Sequence, residues 1–172
     1  MRQTAGTPSI VVMGVSGSGK STIGHLLADV LKLPFSDGDA LHSPENIATM
    51  AAGNALTDSD RLPWLNSVGL ILRDFDDAGV GAVVACSALK VSYRDIIRSY
   101  VPDVFFVFLD GPSEIVQDRI LARSHEFMPA SLLASQFAHL EPLTENERGI
   151  KIDIQFSPAE IVDQITNAAE FS

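Results

Sequence analysis

An α/β fold, with a parallel sheet and helices on both of its faces, is predicted from three observations. Short apolar runs alternate with stripes at helical spacing along the chain. Two of the runs, Ala82 to Cys86 and Val104 to Leu109, are apolar at every position, as strands buried on both faces of a parallel sheet are. No internal repeat, low-complexity segment or Pro/Ser-rich linker interrupts the 172 residues, so the chain reads as one domain, 1–172. Parallel neighbours joined through helices imply right-handed crossovers.

The elements follow in order. Ser9 to Met13 is a buried strand ending at Gly14, and Ile23, Leu26, Leu27, Val30 and Leu31 then repeat as a helix. Phe35 to Asp37 reads as a short second strand. Ser43 is an N-cap with Pro44 at the first helical position, and Gly53 is a stop. A longer helix is expected from about Asp60, with Leu62, Leu65, Val68, Leu72 and Phe75 as its apolar positions and Pro63 in its first turn. Leu89, Tyr93, Ile96, Ile97 and Tyr100 mark another helix between the two apolar strands. A helix from Pro112 to Ala122 leads into an irregular stretch, Arg123 to Pro129, and a further helix runs to Leu140. Ile150 to Ile154 is the final strand, and Ser157-Pro158-Ala159-Glu160 opens the last helix as a capping box.

Composition narrows the function. With 46% hydrophobic and 20% charged residues the chain is globular, and its net charge of −10 argues against nucleic acid or an anionic membrane surface as partner. The single cysteine, Cys86, suits a reducing compartment and reads as a small buried hydrophobe. The first eight residues do not read as a signal peptide, and no apolar run approaches a membrane span, so a cytoplasmic location is expected. In so acidic a chain, any anionic ligand must be held by a local cluster of the few cations.

One motif is specific. Gly14-Val15-Ser16-Gly17-Ser18-Gly19-Lys20-Ser21 matches G-x-x-x-x-G-K-[ST] between an apolar strand and an amphipathic helix. Its glycines let backbone N–H groups curl around phosphate at a helix N-terminus. Lys20 is expected to reach the β- and γ-phosphates of ATP, Ser21 to ligate Mg²⁺, and Thr22 to add a hydroxyl near the α-phosphate. The motif by itself does not separate kinases from other nucleotide-binding proteins. At the end of the second strand, Asp37-Gly38-Asp39 offers two carboxylates where phosphoryl transfer to an alcohol needs one near the metal and one near the attacking hydroxyl. The same residues also suit an ordinary Asp-Gly turn, and spacing alone leaves both readings open.

These residues carry a family resemblance. The run Met13 to Thr22, Asp37-Gly38-Asp39 with Leu41-His42, and Asp58-x-Asp60-Arg61-x-Pro63-Trp64-Leu65 resemble the gluconate kinases among the P-loop small-molecule kinases. So do Asn46 with Met50, Gly53 with Leu56, Cys86-Ser87-Ala88-Leu89-Lys90, Tyr93-Arg94-Asp95, and Phe127-Met128-Pro129 with Leu132-Leu133 and Ser135-Gln136. The resemblance covers about Val12 to Glu141. It implies ATP-dependent phosphorylation of D-gluconate at its 6-hydroxyl, the five-stranded parallel sheet of shikimate and nucleoside monophosphate kinases, a lid over about 123–139, and a homodimer.

By that analogy Asp39 is the candidate base and Asp37 sits nearer the Mg²⁺ shell. Arg61 and Arg94 are expected on the gluconate carboxylate and nearby hydroxyls, since a guanidinium matches a carboxylate bidentately. His42 and Lys90 are further candidate contacts. Plainer roles exist for each: Arg61 paired with Asp58, His42 packed or capping, Lys90 and Arg94 solvated on a helix. Arg119 is carried over as an adenine contact and Arg123 as a phosphate contact, against the alternative of an exposed helix pair. Many family members read His-Phe-Met-Pro where this chain has His125-Glu126-Phe127-Met128-Pro129, so His125 and Glu126 receive no role. Trp64, Phe127 and Met128 are read as core. Two alternatives stand beside gluconate phosphorylation: another small-molecule kinase of this fold, acting on shikimate or a nucleotide, and an ATP-binding sensor without turnover. Cys86-Ser87-Ala88-Leu89-Lys90 in place of a glycine-rich turn disfavours shikimate, and the intact loop with two aspartates disfavours the sensor.

Overall fold

The computed structural model describes residues 6–122 and 130–168. Among them, strands β1 (Ser9–Met13), β2 (Phe35–Asp37), β3 (Ala82–Ala85), β4 (Phe105–Asp110) and β5 (Gly149–Asp153) form one sheet in the order β2-β3-β1-β4-β5. Every pairing is parallel, with Val11 of β1 opposite Val84 of β3 on one side and Phe106 of β4 on the other. Two helix layers flank it. Helix α1 (Lys20–Leu31) packs with α7 (Pro158–Ala168), and α3 (Asp58–Asp77) packs with α4 (Val91–Tyr100). The remaining helices are α2 (Pro44–Ala51), α5 (Ser113–Ala122) and α6 (Ala130–His139).

The apolar runs sit centrally because covered strands need no polar face. Ile10 to Met13 and Ala82 to Val84 are wholly buried, and each larger side chain among them contributes roughly 1.5–3 kcal/mol relative to exposure. β1 is the central strand. The chain first builds β2 and β3 to one side of it, then crosses to β4 and β5 on the other. Ligands of open parallel sheets bind beyond the strand carboxyl ends where the order reverses in this way. The loops after β1 and β3 meet there, where the Gly14 N–H donates to the Ser87 carbonyl at 3.2 Å.

Most expected elements are present within a residue or two, and the capping box at Ser157 and Glu160 forms as expected, with bonds of 2.9 and 3.2 Å. One boundary needs correction. Helix α3 starts at Asp58, two residues earlier than expected, because Thr57 and Asp60 form a capping box: Thr57 Oγ1 accepts from Asp60 N at 3.1 Å and Asp60 Oδ2 from Thr57 N at 2.9 Å. Pro63 therefore lies in the second turn, where its missing N–H leaves the Ser59 carbonyl without its helical donor. A short 3₁₀ turn over Gly38–Leu41, which no periodicity announced, follows β2 directly.

Cys86 lies just beyond β3 and is fully buried; burial pushes its thiol up to about 12. A thiol so far from thiolate is inert at neutral pH. An aromatic disulfide reagent is accordingly expected to leave the native protein unmodified and to titrate one thiol after denaturation; rapid native-state labelling would contradict the packing. No helix among the described residues is long and apolar enough to cross a membrane.

Candidate active site

The loop between β1 and α1 is built to receive an anion. Gly19, the residue before α1, sits at φ 98°, a left-handed conformation that favours glycine. No side chain caps α1 and its first turn holds no acidic residue, so its leading N–H groups stay turned toward a ligand. Lys20 folds back along the loop, its Nζ donating to the Val15 carbonyl at 2.9 Å.

Two chambers lie on either side of this loop. The first encloses about 240 Å³ and is lined by Ser16, Lys20, Asp39, His42 and Arg61, with apolar walls from Met50, Leu56 and Leu89. The second encloses about 180 Å³ between Ser18, Gly19, Thr22, Arg119, Phe156 and Pro158. The expected phosphate-binding residues thus divide: Ser16 and Lys20 share the first chamber with Asp39, whereas Ser18, Gly19 and Thr22 face the chamber that Arg119 borders. Arg119 donates to the Ile154 carbonyl at 2.5 Å, which fixes its guanidinium at that wall. Arg123, with His125, Glu126, Phe127 and Met128, lies outside the described residues.

The two aspartates take different places. Asp37 Oδ2 accepts from Ser21 Oγ at 2.9 Å, and Asp37 Oδ1 accepts from the Asp39 N–H at 3.0 Å. One carboxylate therefore joins the phosphate loop to the 3₁₀ turn and aims the Asp39 side chain into the first chamber. A serine hydroxyl beside a carboxylate oxygen is an oxygen donor set suited to Mg²⁺, which takes one or two protein ligands and completes its shell with phosphate and water. Among the described residues no cluster of three or more His, Cys, Asp or Glu could hold a metal unaided.

Trp64, read as core, is nine-tenths buried but also forms chamber wall. Its Nε1 donates to the Gly38 carbonyl at 2.7 Å, and its indole stacks on His42 at 4.1 Å between ring centroids. Burial holds His42 below its usual pKa; Asp39 pulls it up and Arg61 pushes it further down. Its Nδ1 is buried with no hydrogen-bond partner among the described residues, and the imidazole borders the cavity. Gly38 itself is required by close approach: a Cβ there would stand 2.4 Å from the Ala85 carbonyl oxygen.

The cations separate sharply. Arg61 is 8% exposed, borders the first chamber, and donates from Nη1 to Tyr93 Oη at 2.8 Å. Tyr93 in turn donates to Asp58, and Lys90 Nζ bonds the same carboxylate at 3.1 Å. Asp58 is thereby held below its usual pKa, first by the Tyr93 hydroxyl and then by Lys90. The pairing of Arg61 with Asp58 considered from sequence is thus relayed through Tyr93, and Lys90 lies on that relay and off the chamber lining.

Arg94 corrects the sequence expectation. It is fully buried, and all five guanidinium N–H donors have acceptors: Glu147 Oε2 at 2.7 Å, Glu147 Oε1 at 3.0 Å, and the carbonyls of Ala88, Leu89 and Pro142 at 2.9–3.2 Å. No donor remains for a ligand carboxylate. Arg94 holds the turn after β3, where Ala88 adopts φ 43°. Its partner stands 53 residues away in a loop, and no helical pattern could have revealed it.

Comparison with known proteins agrees with this architecture. The family model described as shikimate kinase matches residues 16–170. A gluconokinase of Gluconobacter oxydans is 44% identical over 156 residues, covering 91% of this chain and 88% of that protein. The crystal structure of a gluconokinase from Sinorhizobium meliloti superposes with a TM-score of 0.84 at 46% identity, covering 92% of this chain and 89% of that one. An unliganded sugar kinase from a Janibacter species does so with a TM-score of 0.90 at 50% identity, covering 94% and 93%. A phosphate loop opening onto two aspartates, on a sheet shared at this level of identity, identifies the chain as a member of the gluconokinase family of P-loop kinases with the shikimate-kinase type of domain.

Proposed function

We propose that the protein transfers the terminal phosphoryl group of ATP to the 6-hydroxyl of D-gluconate, giving 6-phosphogluconate and ADP. The observation that carries this reading is that Lys20 of the phosphate loop and Asp39 line the same cavity as Arg61 and His42, so donor and acceptor machinery face one space. The names of the relatives supply the acceptor.

In this reading the acceptor carboxylate docks on Arg61, which borders the cavity and gives one N–H to Tyr93, and the His42 ring meets a hydroxyl. Asp39 takes the proton of the 6-hydroxyl as its oxygen bonds to phosphorus and the β–γ bridging oxygen leaves with ADP. Lys20 and the loop N–H groups stabilise the charge on the phosphoryl oxygens. Ser21 and Asp37 would hold Mg²⁺, which would supply positive charge to offset that of the phosphate oxygens. Arg119 stacks on adenine in the second chamber, and Arg123 serves the phosphates. Residues 123–139 act as a lid that excludes water. A homodimer, which rests on the family resemblance, and a cytoplasmic location, which rests on the single cysteine and the composition, are part of the same proposal.

The test is ADP release with MgATP in the presence of gluconate, shikimate, AMP or no acceptor. Stimulation by gluconate alone, with 6-phosphogluconate formed, is the expected result. Stimulation by a different acceptor would remove the assignments on the Arg61 side and leave the phosphate loop untouched.

A further inference from the structure

The N–H of Ser16 in the phosphate loop is already occupied. It donates to the side-chain Oε1 of Gln136 at 2.7 Å, from a helix 120 residues further along the chain. A backbone N–H can only donate, so the carbonyl branch of the amide faces the loop and the Nε2 branch faces away. Ser16 and Gln136 both border the chamber that contains Lys20 and Asp39, whereas Ser18, Gly19 and Thr22 border the other. The Ser16 N–H therefore lies at the end of the cradle nearest the acceptor aspartate, where a transferable phosphoryl group must sit.

Within the lid proposed above, the stretch that carries Gln136 is tied to the core on both sides of that residue. Leu133, one turn earlier on α6, is 2% exposed in the core. Just beyond the helix, Glu141 donates its N–H to the Leu89 carbonyl at 2.8 Å and accepts from the Val91 N–H at 2.9 Å. The amide can exchange partners without moving the helix, because its last torsion joins sp³ to sp² carbon, is broad, and swaps acceptor for donor on turning about 180°.

We propose that Gln136 is a ligand of the terminal phosphoryl group and distinguishes triphosphate from diphosphate. In the nucleotide-free enzyme its carbonyl holds the Ser16 N–H. A terminal phosphoryl oxygen, as a charged acceptor, takes that N–H in preference to a neutral amide carbonyl. The displaced amide turns and donates its Nε2–H to the same phosphoryl group. A diphosphate, lacking that group, leaves the Ser16–Gln136 bond in place. This inference rests on reading Gly14 to Ser21 as the triphosphate site.

The experiment is a calorimetric titration of the wild type, Gln136→Leu and Gln136→Glu with ADP and with a non-hydrolysable ATP analogue, alongside kcat. In Gln136→Leu the analogue is expected to bind about tenfold more weakly, the loss of one hydrogen bond to a charged group, with ADP affinity unchanged or slightly increased. Gln136→Glu keeps an acceptor for the Ser16 N–H but opposes the phosphoryl charge, so it should lose at least as much analogue affinity and retain ADP. The two variants guard against misfolding of either, checked by thermal melting. A folded variant that keeps the wild-type ratio of analogue to ADP affinity, with wild-type kcat, overturns the role of Gln136 alone. A wild type that binds neither nucleotide removes the triphosphate site and this proposal together.

Discussion

Asp39→Asn is expected to reduce kcat for gluconate phosphorylation by about 10²–10⁴-fold, the usual contribution of a positioned general base, while leaving affinity for an ATP analogue unchanged. The prediction separates chemistry from folding because, among the described residues, the turn is held without a hydrogen bond to the Asp39 carboxylate. Its turn is held by the Asp37 side chain on the Asp39 N–H and by Trp64 on the Gly38 carbonyl. Asparagine has nearly the same volume and keeps both bonds, but its amide cannot take the hydroxyl proton. Steady-state kinetics with gluconate, paired with calorimetry on the analogue, reads both quantities. Near-normal turnover in this variant would dismiss Asp39 as the base. A parallel loss of nucleotide affinity would instead place its carboxylate in the metal shell, the position proposed for Asp37.

The largest effect on stability is expected from Glu147→Gln. The Glu147 side chain is 2% exposed and accepts from both Arg94 and Arg98. Burial would raise its pKa, but hydrogen bonds from the two arginines outweigh that and hold it down to about 2, against an ordinary value of 4.5. A glutamine leaves the buried Arg94 charge uncompensated, and breaking a buried pair from one side costs about 3–5 kcal/mol. Denaturant unfolding at neutral pH measures this directly. A double variant, Glu147→Gln with Arg94→Met, should recover part of the loss, since the stranded charge is then gone.

The acid behaviour of the wild type follows from the same pair. Because the folded carboxyl titrates lower than the unfolded one, the unfolded chain binds more protons between pH 4.5 and 2. The stabilisation from Glu147 is therefore complete above about 4.5 and is lost as pH falls through 2. Its size is on the order of 3 kcal/mol, and Glu147→Gln should lack this part of the acid dependence. An unchanged acid profile in the variant would contradict the pairing. Since Arg94 also binds the carbonyls of Ala88 and Leu89, and Leu89 borders the acceptor chamber, any folded Glu147→Gln protein should show a raised KM for the acceptor.

The amino-acid sequence by itself determined the parts governed by local pattern. Strand β1, the glycine-rich loop and helix α1 were legible because burial on both faces demands an unbroken apolar run and phosphate binding demands small residues before a helix. Asp37 closes β2 and Asp39 follows two residues later at the carboxyl edge of the sheet, but spacing alone left an ordinary Asp-Gly turn open, and their roles came from the family resemblance. The early start of α3 was also written locally, in Thr57 and Asp60, but Pro63 drew the boundary inward.

What only the tertiary structure decided was which cations border the cavity. Arg61 and Arg94 look alike in sequence, each on an amphipathic helix in an acidic chain. Folding brings Glu147 and three backbone carbonyls against Arg94 and consumes its five donors, while Arg61, among the described residues, hydrogen-bonds the neutral Tyr93 hydroxyl and borders the cavity. The same holds for Trp64, whose indole packs as core yet forms chamber wall, and for Gln136, which reaches Ser16 from 120 residues away. Periodicity reports which side of an element is buried. It carries no information about a hydrogen-bond partner supplied by a distant loop, and it is the partner that determines whether a buried charge is structural or open to substrate.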